Sequence, residues 1–119
     1  SVNMRDAAVY AGDKKWGTAI ELWKQTYATK KGKKKMQAAY NLAVGYEMQD
    51  SIATALDWAL KAQAEARIVD GVDKKDLTHL GKADLPYYVL TTLYVTELEE
   101  RKAGLSRLNM QMQRFNDDF

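Results

Sequence analysis

Apolar residues recur along this chain at intervals of three and four, and no cluster of β-branched residues alternates with period two. From Lys14 to Thr29 the positions Trp16, Ala19, Ile20, Trp23 and Tyr27 fall on one stripe of a helix. Ala39, Leu42, Ala43 and Tyr46 repeat the pattern between Met36 and Met48, and Ile52, Ala55, Leu56, Ala59 and Ala62 repeat it between Ser51 and Arg67. Gly12-Asp13 and Gln49-Asp50-Ser51 punctuate these runs, with Asp13 and either Asp50 or Ser51 placed to cap the helix that follows. The periodicity lapses over IVDGVDKKDLTHLGKAD, which predicts a loop with room for one short helical turn. It resumes at Asp84, an N-cap candidate, with Pro86 in the first turn, where its missing N–H costs nothing. Tyr87, Thr91, Tyr94, Leu98, Leu105, Leu108, Met112 and Phe115 then step by three and four, with Arg101 interrupting, so one long helix of coiled-coil character is expected. Gly104 costs that helix about 1 kcal/mol relative to Ala, and a kink or split there is the alternative.

These elements predict an all-α chain forming one domain over its 119 residues. The expected architecture is two antiparallel helical hairpins, at about 3–29 and about 34–67, a loop over about 68–83 and a C-terminal helix over about 84–115. A stack of repeats leaves its last apolar face bare unless something covers it. The stripe Tyr94, Leu98, Leu105 and Leu108 is suited to cover that face. Pairing with a second copy, as a homodimer through the C-terminal helix, is the other use for it.

Laid over itself at an offset of 36 residues, the sequence pairs Ala7 with Ala43, Tyr10 with Tyr46, Thr18 with Thr54, Ala19 with Ala55 and Ala28 with Ala64. Ile20 with Leu56 and Glu21 with Asp57 are conservative matches in the same frame. In AAYNLAVGYEMQDSIATALDWALKAQA, Leu42 and Ala43 precede Tyr46, and small residues recur at Ala55 and Ala62. This order and spacing resembles a tetratricopeptide (TPR) repeat, whose small residues let two antiparallel helices approach closely. Gly12-Asp13 resembles the turn inside such a repeat. The resemblance covers residues 3 to about 66, as one well-formed repeat and one degenerate one with Thr26 in place of its last alanine. The period of 36 and the lack of a closing proline depart from the family pattern. The resemblance implies a TPR-like stack whose first helices form the concave face. A second likeness rests on W-x-x-A-x-x-x-W at Trp16, Ala19 and Trp23, then AAYNLAVGYE, then L-x-x-R at Leu98 and Arg101. These motifs are similar to those of uncharacterised, lipoprotein-like Bacteroidetes envelope proteins with a TPR-like C-terminal region. That likeness implies a cell-envelope location and a further N-terminal part, and it implies no activity.

Composition narrows the chemistry. The absence of cysteine removes disulfides, thiolate metal sites and thiol catalysis. No apolar run approaches the length that spans a bilayer, and SVNMRDAAVY carries no hydrophobic stretch of the signal-peptide kind. The chain opens on Ser1 and is expected to be a piece of a longer protein. Residues 1–35 carry nine Lys/Arg against three Asp/Glu, and residues 36–119 carry nine against thirteen, so a net charge of +2 divides into a basic and an acidic part.

The stretch KKGKKK, with Lys30, Lys31, Lys33, Lys34 and Lys35, is expected to be a solvated loop between two helices, with Gly32 suited to a left-handed C-cap. The alternative is polyanion or nucleic-acid binding through these lysines. No aromatic residue interleaves them in sequence to stack a base, so nucleic acid is not the expected partner. Trp16, Trp23 and Trp58 stand at helical spacing beside alanines, the pattern of a core. Tyr10, Tyr40 and Tyr46 lie on the first helices of the hairpins and are the candidates for contact with a protein or peptide partner. His79 beside Asp76 lacks convergent partners and reads as a solvent-facing loop residue. Asp70, Asp73 and Asp76 lack the spacing and closing Glu of a calcium loop. Glu97, Glu99, Glu100, Arg101 and Lys102 read as a solvated helix face, and no glycine loop cradles a phosphate. The expected function is a non-catalytic protein-interaction or scaffold module that binds a peptide or helix between its hairpins, with no cofactor and no metal.

Overall fold

A computed structural model describes residues 16–76, 78, 81 and 84–118, with the backbone alone for 115–118. Among the described residues there are four helices, α1 (Trp16–Thr29), α2 (Gly32–Met48), α3 (Ile52–Val69) and α4 (Pro86–Asp118), a 3-10 turn at Val72–Lys74 and no strand. The fold class is all-α, as the periodicity requires. The first half of the first expected hairpin, with the Gly12-Asp13 turn, lies outside the described residues.

The helices pack in chain order, α1 on α2, α2 on α3 and α3 on α4. The central helix, α2, is buried around much of its circumference through Met36, Ala38, Ala39, Leu42, Ala43 and Gly45. Its small residues let the neighbours come close. A Cβ on Gly45 would stand 3.3 Å from Cζ3 of Trp23 and 3.4 Å from Cε3 of Trp16. On α3 the buried set is Ile52, Ala55, Leu56, Ala59, Ala62 and Ala66, an alanine-lined stripe at helical spacing. Positions related by the 36-residue offset share their surroundings: Ala19 and Ala55 are fully buried, Ile20 and Leu56 nearly so. Thr18 and Thr54, Glu21 and Asp57, and Ala28 and Ala64 are all exposed. Trp23 is wholly buried, and Trp16 and Trp58 pack half-buried against the core, which agrees with their reading as core residues.

The turns depart from expectation in three places. Only Lys30 and Lys31 separate α1 from α2, because the second helix begins at Gly32, two residues before its expected start. Gly32 does take a left-handed φ of 65° but opens α2 instead of closing α1. Asp50 serves the helix it follows: with φ 59° it occupies the left-handed position after α2. The amide of Ser51 reaches back to the Tyr46 carbonyl and that of Asp50 to the Glu47 carbonyl, which is the Schellman arrangement. Neither residue caps α3 as expected, since Ser51 makes no side-chain cap bond.

Asp84 likewise does not cap α4. Its carboxylate accepts the Gly81 amide at 2.8 Å. The amide of Tyr88, in the first turn of α4, donates instead to Oδ2 of Asp70 at 2.7 Å. Asp70 closes α3 and is buried, so one carboxylate ties the end of one helix to the start of the next.

α4 runs unbroken through Gly104 for 33 residues. At 1.5 Å per residue it is about 50 Å long against about 27 Å for α3, so it outruns the body it packs on. Thr91, Tyr94, Val95 and Leu98 are buried. Leu105 and Leu108, expected to cover the open face, are instead 47 and 50 % exposed. From Arg101 to Arg114 the helix projects as an arm with no buried residue.

Candidate functional site

Tyr10 lies outside the described residues. Tyr40 and Tyr46 are six positions apart on α2, which turns their side chains about 120° from each other. They do not form one face. Tyr40 packs on Tyr94 of α4 with ring centroids 5.0 Å apart. Tyr46 lies against both apolar clusters beside Trp58, with Lys24 Nζ 5.8 Å from its ring centre. Both tyrosines are half-buried.

The face of α2 that carries Tyr40 is occupied by the chain itself. Tyr94 donates its hydroxyl to Oε1 of Glu47 at 2.7 Å, and Arg101 pairs with the other oxygen of the same carboxylate. Burial, then the hydrogen bond and charge of Glu47, push the Tyr94 phenol pKa well up. Burial followed by the charges of Glu47 and Glu97 does the same to Tyr40. Arg101 is therefore no solvated interruption of the seam but its last fixed contact. Sequence reasoning missed Glu47, whose only signal was an acidic residue on the last turn of α2 with an arginine in the facing seam.

The lysine stretch is divided between structure and solvent. Lys33 Nζ stands 5.0 Å over Tyr87, and Lys35 Nζ stands 4.8 Å over Tyr27 and 3.7 Å from Glu65. Lys30, Lys31 and Lys34 are exposed. Tyr27 meets Trp58 edge to face at 5.1 Å, and Lys61 covers the Trp58 ring at 4.7 Å. Aromatic rings thus interleave lysines in space although they do not in sequence.

His79 falls outside the described residues, and the three loop aspartates diverge. Asp70 accepts the Tyr88 amide, Asp73 pairs with Arg67 and Asp76 accepts the Thr78 amide and hydroxyl. Among the described residues no group of three or more His, Asp or Glu is placed to hold a metal. No helix described is long and apolar enough to cross a membrane.

Exposed apolar residues remain on the body, among them Ile68 and Leu93, and along the arm. Leu105, Leu108 and Met112 continue the buried seam of Thr91, Tyr94 and Leu98 beyond the body, 47, 50 and 56 % exposed. Where the arm leaves the body an open cleft of about 420 Å³ lies between it and the start of α3, lined by Asp50, Ile52, Thr54, Lys102, Leu105 and Asn109 among others. An apolar helix stripe next to a cleft offers shape and desolvation to a partner.

A family described as a domain of unknown function, DUF6340, matches residues 5–100. No curated protein and no solved structure matches the chain. The family match ends two residues beyond Leu98, the last buried residue of α4 among the described side chains.

Proposed function

The chain belongs to the DUF6340 family, and we propose that it acts as a non-catalytic protein-interaction or scaffold module whose contact surface is the projecting half of α4. The observation that carries this reading is the bare stripe Leu105, Leu108 and Met112 on a helix whose preceding turns are buried. A solvent-facing helix has no need of that pattern, and exposed apolar stripes of this kind are the ones helical partners use. The groove beside Tyr40 is a poorer site because α4 fills it. The match in burial between α1 and α3 at a 36-residue offset, with the small residues Ala43, Ala55 and Ala62 at helix contacts, supports a TPR-like repeat as the origin of the stack. A place in a lipoprotein-like Bacteroidetes envelope protein rests on the tryptophan and AAYNLAVGYE motifs alone.

A second reading has its own observation. Lys33, Lys34 and Lys35 lie in the opening turns of α2, where cations oppose the helix dipole, and Lys31 at the N-cap provides no side-chain cap. A helix start that is both basic and uncapped suits a polyanion. Affinity capture from a lysate of the source organism, with protein and nucleic acid both analysed, separates the two. A defined protein retained at moderate salt is the expected result. Nucleic acid alone, lost steeply as salt rises, would overturn the protein reading.

A further inference from the structure

Resting on the polyanion reading of the lysine turn, we propose that the end of the bundle carrying that turn docks on an anionic lipid surface, with Lys30, Lys31 and Lys34 facing the headgroups and Ile68 entering among them. Lys33 with Tyr87, Tyr40 with Tyr94 and Glu47 with Arg101 are each 54 positions apart, so α2 and α4 run parallel and level. Lys35 pairs with Glu65 across the antiparallel α2 and α3, which sets Ile68, three residues on, level with Gly32. Ile68 shares a side of α3 with Glu65, so it stands beside the lysine turn, and it is 71 % exposed. The start of α2, the end of α3 and the start of α4 thus form one end of the molecule, and the lysine turn crosses it.

The positive charge of this end survives its acids. Over residues 30–35 and the described part of 65–86 there are eight Lys/Arg and five Asp/Glu, a net +3. All five carboxylates are engaged within the chain. Lys35 holds Glu65 and Arg67 holds Asp73, while Asp70, Asp76 and Asp84 accept the amides of Tyr88, Thr78 and Gly81. Lys30, Lys31 and Lys34 are exposed and make no ion pair among the described residues. At the opposite end, residues 47–50 and 97–102 carry five Asp/Glu against two Lys/Arg, a net −3, and residues 103–118 carry two against two. A molecule polarised in this way presents its lysine end to a negative surface.

The exposed isoleucine distinguishes the partner. A single-stranded nucleic acid draws on ring faces to stack its bases, and the Tyr27 and Tyr87 rings each have a lysine over them. Ile68 adds nothing to phosphate contact. An apolar side chain amid cations suits a lipid interface, where the cations meet anionic headgroups and the apolar group passes beneath them. Arg101, where the arm leaves the body, lies about 21 Å along α4 from Tyr87. Docking by the lysine end therefore leaves Leu105 and Leu108 turned away from the lipid and open to a protein.

Co-sedimentation with vesicles tests the proposal. At about 0.1 M salt, wild type is expected to sediment with mixed phosphatidylcholine and phosphatidylglycerol vesicles and not with phosphatidylcholine alone. The triple variant Lys30→Gln, Lys31→Gln, Lys34→Gln should lower the partition about 100-fold, each lysine being worth about a factor of five near such a surface. Ile68→Ser should lower it about fivefold, and both variants should keep their helix content by circular dichroism. Wild type left in the supernatant, or Ile68→Ser sedimenting as well as wild type, would overturn the proposal. If wild type ignores the vesicles but binds a single-stranded oligonucleotide that the triple variant does not, the lipid is removed and the polyanion reading stands. Wild type that binds neither removes both.

Discussion

At Gly45 an added methyl group would sit 3.3 Å from one tryptophan ring and 3.4 Å from another. Alanine is favoured over glycine in a helix by about 1 kcal/mol, but overpacking a filled site costs about 1–3 kcal/mol. Trp23 is fully buried and has nowhere to retreat, so Gly45→Ala is expected to lose about 1 kcal/mol net, read as a lower Tm. Tyr94 offers a test in pH. Its phenol pKa is raised in the folded chain by burial and by Glu47, so the folded state holds a proton that the unfolded state releases above about pH 10. Stability from this group is complete below pH 10 and falls as pH rises beyond it, by up to about 1.4 kcal/mol per pH unit. Tyr94→Phe should therefore be less stable than wild type at pH 8 by about 1 kcal/mol, through the lost hydrogen bond. The gap should shrink in urea titrations above pH 10. A gap that stays constant would show that the hydroxyl does not govern the alkaline loss. The signals for these two residues differ in the sequence: Tyr94 stands on an obvious stripe, whereas nothing local marks Gly45 as a contact with α1.

At the scale of elements, helix positions were legible and helix ends were not. Periodicity located the four described helices because each carries a buried stripe, which α2 extends around much of its circumference, and a stripe is a local property of the sequence. Ends depend on which distant group satisfies the free amides and carbonyls. Asp84 and Asp50 looked like caps from their neighbours, yet α4 takes its cap from Asp70, eighteen residues before Tyr88 in the chain. Asp70→Ala is expected to cost about 1–2 kcal/mol, and Asp70→Asn to recover most of it, in thermal melts of the two variants. The start of α2 is the opposite case. Lys34 is exposed there and opposes the helix dipole, so Lys34→Glu should stabilise the fold by about 0.3–1 kcal/mol. A chain stabilised in this way, with capture unchanged, would mean that the lysine has no part in binding. The same variant with its capture abolished would favour the polyanion reading.

For the molecule as a whole, the sequence showed a long C-terminal helix but not where its packing stops. Tyr94, Leu98, Leu105 and Leu108 form one stripe in the sequence, and only the length of α3 divides it into a buried part and a bare one. That length is a property of another element, which is why a reading along α4 could not find the boundary. Of the two candidate tyrosines among the described residues, Tyr40 is taken as a packing partner by Tyr94 of α4, a contact that no reading along α2 alone could show. The interleaving of Tyr27 and Trp58 with Lys35 and Lys61 was equally hidden, since it arises from three helices. Among the described residues the arm carries an exposed apolar stripe at helical spacing, and the account stands on its being a contact surface for protein. Capture with wild type and with the Leu105→Glu, Leu108→Glu variant, side by side at moderate salt, tests that claim most directly. Loss of the retained protein in the variant, with its melting curve unchanged, is the predicted result; equal capture by both would place the contact surface elsewhere and contradict the account.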